Sequence, residues 1–299
     1  MNAIDISICI VSKDRKHELA LTLTILKNCI DEAKHQVLVY LDGCTDGSEA
    51  LVEEFPYVSW EVNDKAVGAS PARNCLYSKA RGEIIFGFDD DAHPLQMDFI
   101  QRTKQLFSQN PNIAVVAFEE IKGIYPNDKE AFSNHQPNVS YLANSFVGCG
   151  FAIKRDAYLL TNGFPLWMDI YGEEGAVSIQ LIEKGYEILY TTAITVNHRV
   201  DRSMRKISGN NTFRFERQLC NSALYFIVFY PKLLVPKKLI KLLWHNWRRY
   251  ALKDIYFFMA FWKGVINFFL KLPKALKSRN PVSKRTIRRV NNLPHPKYG

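Results

Sequence analysis

Residues 83–91 are Glu83-Ile84-Ile85-Phe86-Gly87-Phe88-Asp89-Asp90-Asp91. Alternate side chains of a β-strand point to opposite faces, so Ile84, Phe86 and Phe88 fit one buried face of a strand. Ligands bind at the carboxyl ends of the strands in open α/β sheets. The stretch therefore predicts a buried strand of an α/β sheet that ends at three carboxylates.

These three carboxylates repel each other unless a cation lies among them. Hard divalent cations take oxygen ligands, and Mg is commonly held by one or two carboxylates together with substrate phosphates. The cluster therefore indicates a site for Mg or Mn and a diphosphate-containing substrate. The alternative is a solvated acidic loop, or carboxylates that cap a helix starting near Leu95.

Strands and helices alternate upstream of this stretch. Residues 6–11 are predicted to form a buried strand, and apolar residues at helical spacing over 19–30 predict a helix after it. Residues 36–41 are predicted to form a second buried strand. The turn-rich loop 42–48 stands at the head of another helix, and 67–80 continue as a helix after an opening Gly and Pro. This alternation predicts a parallel sheet. The chain contains neither GxGxxG nor GxxxxGK[ST], which disfavours dinucleotide binding and P-loop hydrolysis.

Composition limits the class of protein. The chain has 299 residues, of which 47% are hydrophobic and 13% aromatic, enough for one large domain or one domain with an appendage. Residues 1–6 lack a basic region followed by a long apolar stretch, so we expect no secretory signal and a cytoplasmic protein. The six cysteines are scattered, with no CxxC pair and no zinc-ligand spacing.

The C-terminal part differs in charge from the rest. Residues 231–299 contain 17 Lys and Arg residues and one acid, Asp254, whereas the preceding 230 residues hold 22 bases and 29 acids. Residues 255–270 are strongly apolar but shorter than the ~20 residues of a spanning helix, and Lys263 interrupts them. They resemble an interfacial helix attracted to anionic lipid. The alternatives are a helical appendage that packs on the rest of the chain, or a nucleic-acid surface, which no accompanying motif supports.

Over about residues 4–200 the chain resembles family 2 glycosyltransferases, and four motifs that occur in order support the resemblance. They are Ser12-Lys13-Asp14-Arg15, the loop 41–48, the segment 68–74 with Ala80-Arg81-Gly82-Glu83, and Asp89-Asp90-Asp91-Ala92 with Pro94. The resemblance implies a GT-A (Rossmann-like) α/β fold with a mostly parallel sheet flanked by helices. It implies a catalytic domain over 1–210, with a nucleotide-sugar half to about 95 and an acceptor half from about 96. The charge and the apolar run of the C-terminal part, not the resemblance, predict a helical, basic, membrane-associating segment over 211–299.

The same resemblance assigns a donor site. It places Asp42 near the base, Arg73 near the base or diphosphate, and Asp89 near the ribose, and it makes Asp91 the metal ligand. Alternatively, Asp42 and Asp46 cap a helix, and Arg73 pairs with a surface carboxylate. The implied donor residues are Ser12, Asp14, Asp42, Arg73, Asp89 and Asp90.

The acceptor side is predicted further along the chain. Residues 148–155 resemble the small-residue strand that lines this side in the family, although a tight turn is the alternative. Glu173 and Glu174 precede an amphipathic helix that runs to Gly185, and we expect the helix dipole to keep both carboxylates ionised. Glu174 is the predicted base, with Glu173 as the alternative base or an acceptor-binding residue. The family often has a further acid at the position of Ala176, and simple helix capping is the alternative.

A second metal ligand is predicted near residue 198. A strand over 186–192 leads to His198, which the resemblance places near the diphosphate or metal, and imidazole suits Mn better than Mg. A structural histidine is the alternative. Arg202, Arg205 and Lys206 follow in a polar stretch that we interpret as a lid over the phosphates, or else as surface charge.

These features predict a metal-dependent inverting glycosyltransferase that uses a UDP- or dTDP-sugar donor. The acceptor is predicted to be a glycan or polyprenyl-linked glycan, as in bacterial surface polysaccharide or lipopolysaccharide assembly, at the inner face of the cell membrane. A sugar nucleotidyltransferase is the first alternative, but residues 10–14 lack its Gly-rich, basic signature. A nucleotide- or glycan-binding protein without catalysis is the second, and it would tolerate loss of Glu173 and Glu174.

Overall fold

A nine-stranded sheet forms the centre of the protein, whose computed structural model describes residues 4–168, 170–200 and 210–297. The strand order is β3-β2-β1-β4-β8-β6-β9-β5, and β7 pairs with β9 beside this path. The strands are β1 (Ile6–Ser12), β2 (His35–Asp42), β3 (Val58–Asn63), β4 (Ile84–Asp89), β5 (Ala92–Pro94), β6 (Ile113–Lys122), β7 (Ser140–Leu142), β8 (Gly150–Lys154) and β9 (Glu187–His198).

Helices cover the sheet and continue beyond it. The helices beside the sheet are α1 (Lys16–Lys27), α2 (Leu51–Glu54), α3 (Ala69–Lys79), α4 (Phe99–Gln109), α5 (Asp128–Phe132), α6 (Arg155–Leu159) and α7 (Glu173–Glu183). The C-terminal helices are α8 (Asn210–Phe229), α9 (Val235–Asn246), α10 (Ile255–Lys277) and α11 (Lys284–Asn292).

The first four strands in the sheet order are parallel, so their carboxyl ends lie at the same end of the sheet. Strand β1 pairs in parallel with β2 and β4, so Val11 lies opposite Asp89 and Ser12 opposite Leu41. Strands β2 and β3 are also parallel, and Asp42 lies opposite Asn63. The acidic end of β4 therefore lies beside the loops that follow β1 and β2.

The second part of the sheet mixes strand directions. Strands β6 and β9 are parallel, but β8 runs antiparallel between β4 and β6, and β5 and β7 pair antiparallel with β9. The α/β class is confirmed. The antiparallel strands fall within residues 92–154, downstream of the alternating strand and helix pattern from which a parallel sheet was predicted.

Both faces of the sheet are buried. Along β1, Ile6, Ile8 and Ile10 pack in one apolar cluster with Phe86 and Phe88, whereas Cys9 packs in the cluster on the other face. This alternation is the pattern expected for a strand covered on both sides. Because both faces are covered, a ligand can reach the sheet at the ends of its strands.

The C-terminal helices share a further apolar cluster with the body. Trp167 and Ile179 pack in this cluster with Leu224 of α8 and Ile287 of α11. Helix α11 is therefore part of the packed structure, because its apolar side chains are buried against residues that lie about a hundred positions earlier.

Helix α10 is longer than the sequence predicted. It runs for 23 residues, Ile255–Lys277, because Lys271 and Pro273 do not end it. Among the described residues it is the one helix that is long and apolar enough to cross a membrane by length and composition, and 17% of its apolar window is buried. The prediction that the apolar segment is too short to span was therefore wrong about its length.

Candidate active site

Asp89 ends β4, and Asp90 and Asp91 form the turn that leads to β5; we call these three residues the acidic turn. Strand β5 pairs antiparallel with β9, and Ala92 lies opposite His198. This pairing places the end of β9 beside the acidic turn, although more than a hundred residues separate Asp91 from His198. The two predicted metal ligands are thus brought together by a three-residue strand that the sequence did not reveal.

Asp89, Asp91 and His198 form a possible metal-binding group. Their ligand atoms lie within 4.8 Å of one another. His198 Nε2 lies 3.2 Å from Asp91 Oδ1 and 4.0 Å from Asp89 Oδ2. Asp91 Oδ1 is buried and accepts no hydrogen bond of good geometry from the described residues. Two carboxylates and an imidazole fit a divalent cation such as Mn, and the carboxylates alone fit Mg.

Glu120 fixes the orientation of His198. His198 Nδ1 lies 2.6 Å from Glu120 Oε1, and Lys122 Nζ lies 3.1 Å from the other oxygen of that carboxylate. Burial opposes the imidazolium, but the neighbouring side chains of Asp91, Cys149 and Glu120 outweigh it and raise the pKa of His198 to about 12. A ligating histidine is usually oriented by such a second partner. Sequence reasoning missed Glu120, whose signal was an acidic pair inside an otherwise apolar strand.

Asp90 anchors the acidic turn. Ser12 Oγ donates to Asp90 Oδ2 at 2.7 Å, and Thr22 Oγ1 donates to the Asp90 carbonyl at 2.7 Å. Burial raises the pKa of the Asp90 carboxyl to about 7, against the opposing effect of Arg15. Ser12 and Asp90, both predicted donor residues, thus bind each other and hold the turn against β1 and α1.

Arg15 contacts the acidic turn from the cleft side. Its guanidinium forms ion pairs with Asp90 and Asp91, and its side chain is half exposed. Burial opposes the Asp91 carboxylate, but His198 and Arg15 hold the pKa of Asp91 well below its usual range. Arg15 belonged to a quoted motif but was not predicted as a site residue.

Arg73 connects the acidic turn to the predicted base. Its Nη2 donates to Asp89 Oδ1 at 3.1 Å, and its Nη1 lies 3.3 Å from Glu173 Oε1 and 3.5 Å from Glu174 Oε1. The guanidinium also lies over the Phe164 ring, 5.4 Å from its centroid. With only 12% of its side chain exposed, Arg73 is the buried cation shared by the two halves of the site.

Glu174 lies in a crowded position, with 18% of its side chain exposed. Burial and the neighbouring Glu173 raise the pKa of Glu174, although Arg73 opposes them. Burial and like-charge repulsion from Glu173 therefore oppose the ionised form of Glu174 that the helix dipole was predicted to favour, whereas Arg73 supports it. Gly148 permits this packing, since a Cβ there would collide with Glu174 Oε1 and lie 3.2 Å from Arg73 Nη2.

Helix α8 holds the turn that precedes the two glutamates. Tyr171 has φ 71° and Gly172 has φ 103°, both in the left-handed region. Asn221 Nδ2 donates to the carbonyls of Ile170 at 2.8 Å and Tyr171 at 3.0 Å. Arg214 stacks over the Tyr171 ring at 5.1 Å. The start of α7, and with it Glu173 and Glu174, is therefore positioned from a helix almost fifty residues downstream.

Asp42 and Asp14 hold loops at the same edge. Asp42 accepts hydrogen bonds from the backbone of Val67 at 2.6 Å and Gly68 at 2.9 Å. Asp14 accepts one from the backbone of Thr45 at 2.6 Å. Each carboxylate thus joins two loops around the predicted nucleotide site, while Asp46 caps α1 through its bond to the Lys16 backbone at 2.7 Å.

Most of these residues line one cleft of about 870 Å³. Ser12, Asp14 and Asp42 are not among its lining residues, and the predicted lid residues Arg202, Arg205 and Lys206 lie outside the described part of the chain. The cleft is lined by predicted and unpredicted residues alike, including Arg15, Arg73, Asp89, Asp90, Asp91, Glu120, Gly148, Glu173, Glu174, His198 and Arg214.

Comparison with solved structures shows the same fold in known enzymes. Mannosyltransferase PcManGT from Pyrobaculum calidifontis, in complex with GDP-Man and Mn2+, is 14% identical over 90% of this chain and 88% of that chain, with a TM-score of 0.60. S. aureus TarS 1-349 in complex with UDP-GlcNAc is 13% identical over 97% and 84%, with a TM-score of 0.57. GalNAc-T7 with UDP, GalNAc and Mn2+ is 15% identical over 77% and 49%, with a TM-score of 0.58.

These likenesses confirm the GT-A fold. Comparison with curated protein sequences finds no significant match. The family model described as glycosyl transferase family 2 matches residues 7–158, which is half of the chain and contains the acidic turn and Arg73. On that match, the chain belongs to glycosyl transferase family 2.

Proposed function

We propose that this protein is an inverting, metal-dependent glycosyltransferase that uses a nucleotide-sugar donor. The main support for the proposal is the position of Arg73. Its guanidinium contacts Asp89 of the acidic turn as well as Glu173 and Glu174. A donor anchored at the acidic turn would therefore have its sugar directed toward a buried carboxylate. This is the arrangement that a direct displacement requires.

In the proposed reaction, an acceptor hydroxyl attacks the anomeric carbon of the donor sugar. The new carbon–oxygen bond forms as the bond from the anomeric carbon to the diphosphate oxygen breaks, and the configuration at that carbon inverts. The hydroxyl proton passes to Glu174, and the nucleoside diphosphate departs with the bonding electron pair. Burial raises the pKa of Glu174, so its ionised carboxylate is a stronger proton acceptor than an ordinary one.

Positive groups would stabilise the departing diphosphate. Asp89, Asp91 and His198 would hold Mn or Mg, which neutralises developing phosphate charge when bound. Arg15 lines the same cleft and is half exposed, so its guanidinium is placed to contact the phosphates. Arg73 would orient Glu174 through the shared ion pair while Glu173 binds the acceptor.

The donor class is proposed to be a UDP- or dTDP-sugar. Related folds were solved with UDP-GlcNAc and with GDP-Man and Mn2+, which supports a nucleotide sugar and a divalent metal. The test is release of nucleotide from UDP-, dTDP-, GDP- and CMP-sugars by the purified protein with Mn or Mg. We expect metal-dependent turnover of one nucleotide class and inversion of the sugar. Turnover of none, or retention of configuration, would contradict the proposal.

We further propose that the C-terminal helices bind the inner face of the cell membrane and present a glycan on a polyprenyl or other lipid diphosphate. Ile255, Met259, Trp262, Ile266 and Phe269 recur at spacings of three and four residues and are all exposed. Such an apolar stripe on a basic helix is typical of interfacial binding. Residues 231–299 supply the bases that anionic lipid attracts.

Vesicle sedimentation tests the membrane surface. We expect the protein to sediment with phosphatidylglycerol vesicles more than with phosphatidylcholine vesicles, and the double variant Trp262→Glu with Ile266→Glu to stay in solution. Ile124→Glu is the matched control, because Ile124 is an equally exposed apolar residue away from the C-terminal helices. Sedimentation of the double variant at the wild-type level would exclude this stripe as the membrane surface.

A further inference from the structure

The end of the chain is fixed to the catalytic body next to the cleft. We call residues 290–295 the C-terminal strap. Upstream of it, Ser283 Oγ donates to Glu183 Oε2 at 3.0 Å, and Arg289 Nη2 lies 2.7 Å from Glu187 Oε1. These contacts attach both ends of helix α11 to the region where α7 ends and β9 begins.

Asn144 holds the strap itself. Its backbone N–H donates to the Pro294 carbonyl at 2.9 Å, and its Nδ2 donates to the Leu293 carbonyl at 3.1 Å. Asn144 is 8% exposed, so the donor side of these hydrogen bonds is shielded from water. Tyr141 adds a third attachment, because its hydroxyl donates to the His295 carbonyl at 3.0 Å. The strap backbone is thus fixed by residues about 150 positions earlier in the chain.

The strap forms part of the cleft wall. Val290, Asn291, Leu293 and His295 line the same 870 Å³ cleft as the acidic turn and the two glutamates. The strap is attached at Asn144, which begins the segment 144–149, and Gly148 of that segment packs against Glu174. The strap therefore lies on the same side of the cleft as the proposed base. It contacts the segment that leads into β8, whereas the predicted nucleotide site lies at the loops after β1 and β2.

We propose that the C-terminal strap is an acceptor-binding subsite that recognises a hydroxyl-rich glycan. The exposed side chains of Asn291 and His295 supply hydrogen-bonding groups for sugar hydroxyls. Val290 and Leu293 supply apolar surface for the C–H face of a sugar ring, and such a mixture is typical of small-ligand sites. The inference rests on the proposed function, and it adds the residues that select the acceptor.

Neighbouring residues on the strap supply a matched pair of variants. Asn291 lines the cleft, whereas Asn292 is an exposed residue that does not. We expect Asn291→Ala and His295→Ala each to weaken glycan binding about tenfold, the effect of losing one or two hydrogen bonds. Asn292→Ala should bind as the wild type does.

Glycan binding can be measured without knowing the natural acceptor. The full-length protein, loaded with Mn and UDP, GDP or dTDP, is applied to a printed array of bacterial glycans, and the retained glycans are titrated with each variant. Loss of binding in Asn291→Ala and His295→Ala but not in Asn292→Ala supports the subsite. Equal binding by all three variants, or no retained glycan with the wild type, overturns it.

A second measurement separates this inference from the proposed function. Hydrolysis of the nucleotide sugar by water requires the donor site but no acceptor, so hydrolysis by the wild type tests the proposed function alone, and Asn292→Ala, outside the cleft lining, should hydrolyse at the wild-type rate. If the wild type hydrolyses no nucleotide sugar, the proposed function fails. If hydrolysis persists in every variant and glycan binding is also unchanged, the strap alone is refuted.

Discussion

The two sides of the cleft are built in different ways. The donor side consists of short motifs at the ends of adjacent strands, and Asp89, Asp90 and Asp91 are consecutive in the chain. The acceptor side is assembled from distant segments, because Arg73 meets Glu173 and Asn144 meets Leu293. The difference shows why family motifs describe the donor site well and leave the acceptor open.

The largest expected effect is on the donor side. Asp91→Asn removes one charge from the possible metal group, which Asp89 and His198 cannot replace. Metal ions contribute several kcal/mol to such reactions, so we expect nucleotide-sugar turnover to fall about 10⁴-fold. Turnover is measured as nucleotide release over a range of Mn concentrations. Asp98→Asn is the control, and an unchanged metal dependence in Asp91→Asn would remove Asp91 from the metal site.

The next effect concerns the base. Glu174→Gln keeps the size of the side chain but cannot accept the hydroxyl proton, so we expect kcat for transfer to fall about 10³-fold. Donor affinity, measured by nucleotide-sugar titration with metal present, should stay near the wild-type value. The same experiment on Glu173→Gln decides between the two glutamates. A larger loss of kcat in Glu173→Gln would identify Glu173 as the base.

A smaller effect is expected from helix α8. Asn221→Asp removes the two N–H donors that hold the carbonyls of Ile170 and Tyr171 and places a carboxylate against them. We expect kcat to fall about tenfold through misplacement of Glu174, a cost typical of lost hydrogen bonds. Donor affinity should not change, because Asn221 lies on the acceptor side. Asn246→Asp is the control, since the side chain of Asn246 donates to the Leu242 carbonyl of its own helix, and equal losses in both variants would contradict positioning by α8.

The smallest effect is on stability. Because burial raises the pKa of Glu174 in the folded chain, the folded chain binds more protons than the unfolded chain above the ordinary pKa of 4.5. The free energy of unfolding should therefore fall as pH rises from 4.5 toward the raised pKa, by about 1.4 kcal/mol per unit of pKa difference. Urea denaturation at several pH values measures this slope. Glu174→Gln should flatten it, and a slope unchanged in that variant would contradict the burial of this carboxyl.

Much of the donor side could be predicted because its signals are local. The alternating Ile84, Phe86 and Phe88 indicated a buried strand, and the three aspartates indicated a cation. Strand pairing could not be predicted in the same way. The sequence ended the last strand near Thr192, whereas β9 continues to His198, and the short β5 opposite it carries no apolar pattern.

The acceptor side was predicted incompletely for a physical reason. Glu174 could be identified from its motif, but its pKa depends on Glu173, Arg73 and the close approach of Gly148, which only packing brings about. Asn144 and Glu120 had no motif, since their roles consist of hydrogen bonds to residues far away in the chain.

The sequence by itself determined the family, the buried strands and the acidic turn, because side-chain alternation and adjacent carboxylates act over a few residues. Tertiary structure alone decided which carboxylates lie close enough to share a cation, which carboxyl has a raised pKa and that residues 290–295 line the cleft. These properties depend on distances between groups that are up to 150 positions apart, and chain spacing does not specify such distances.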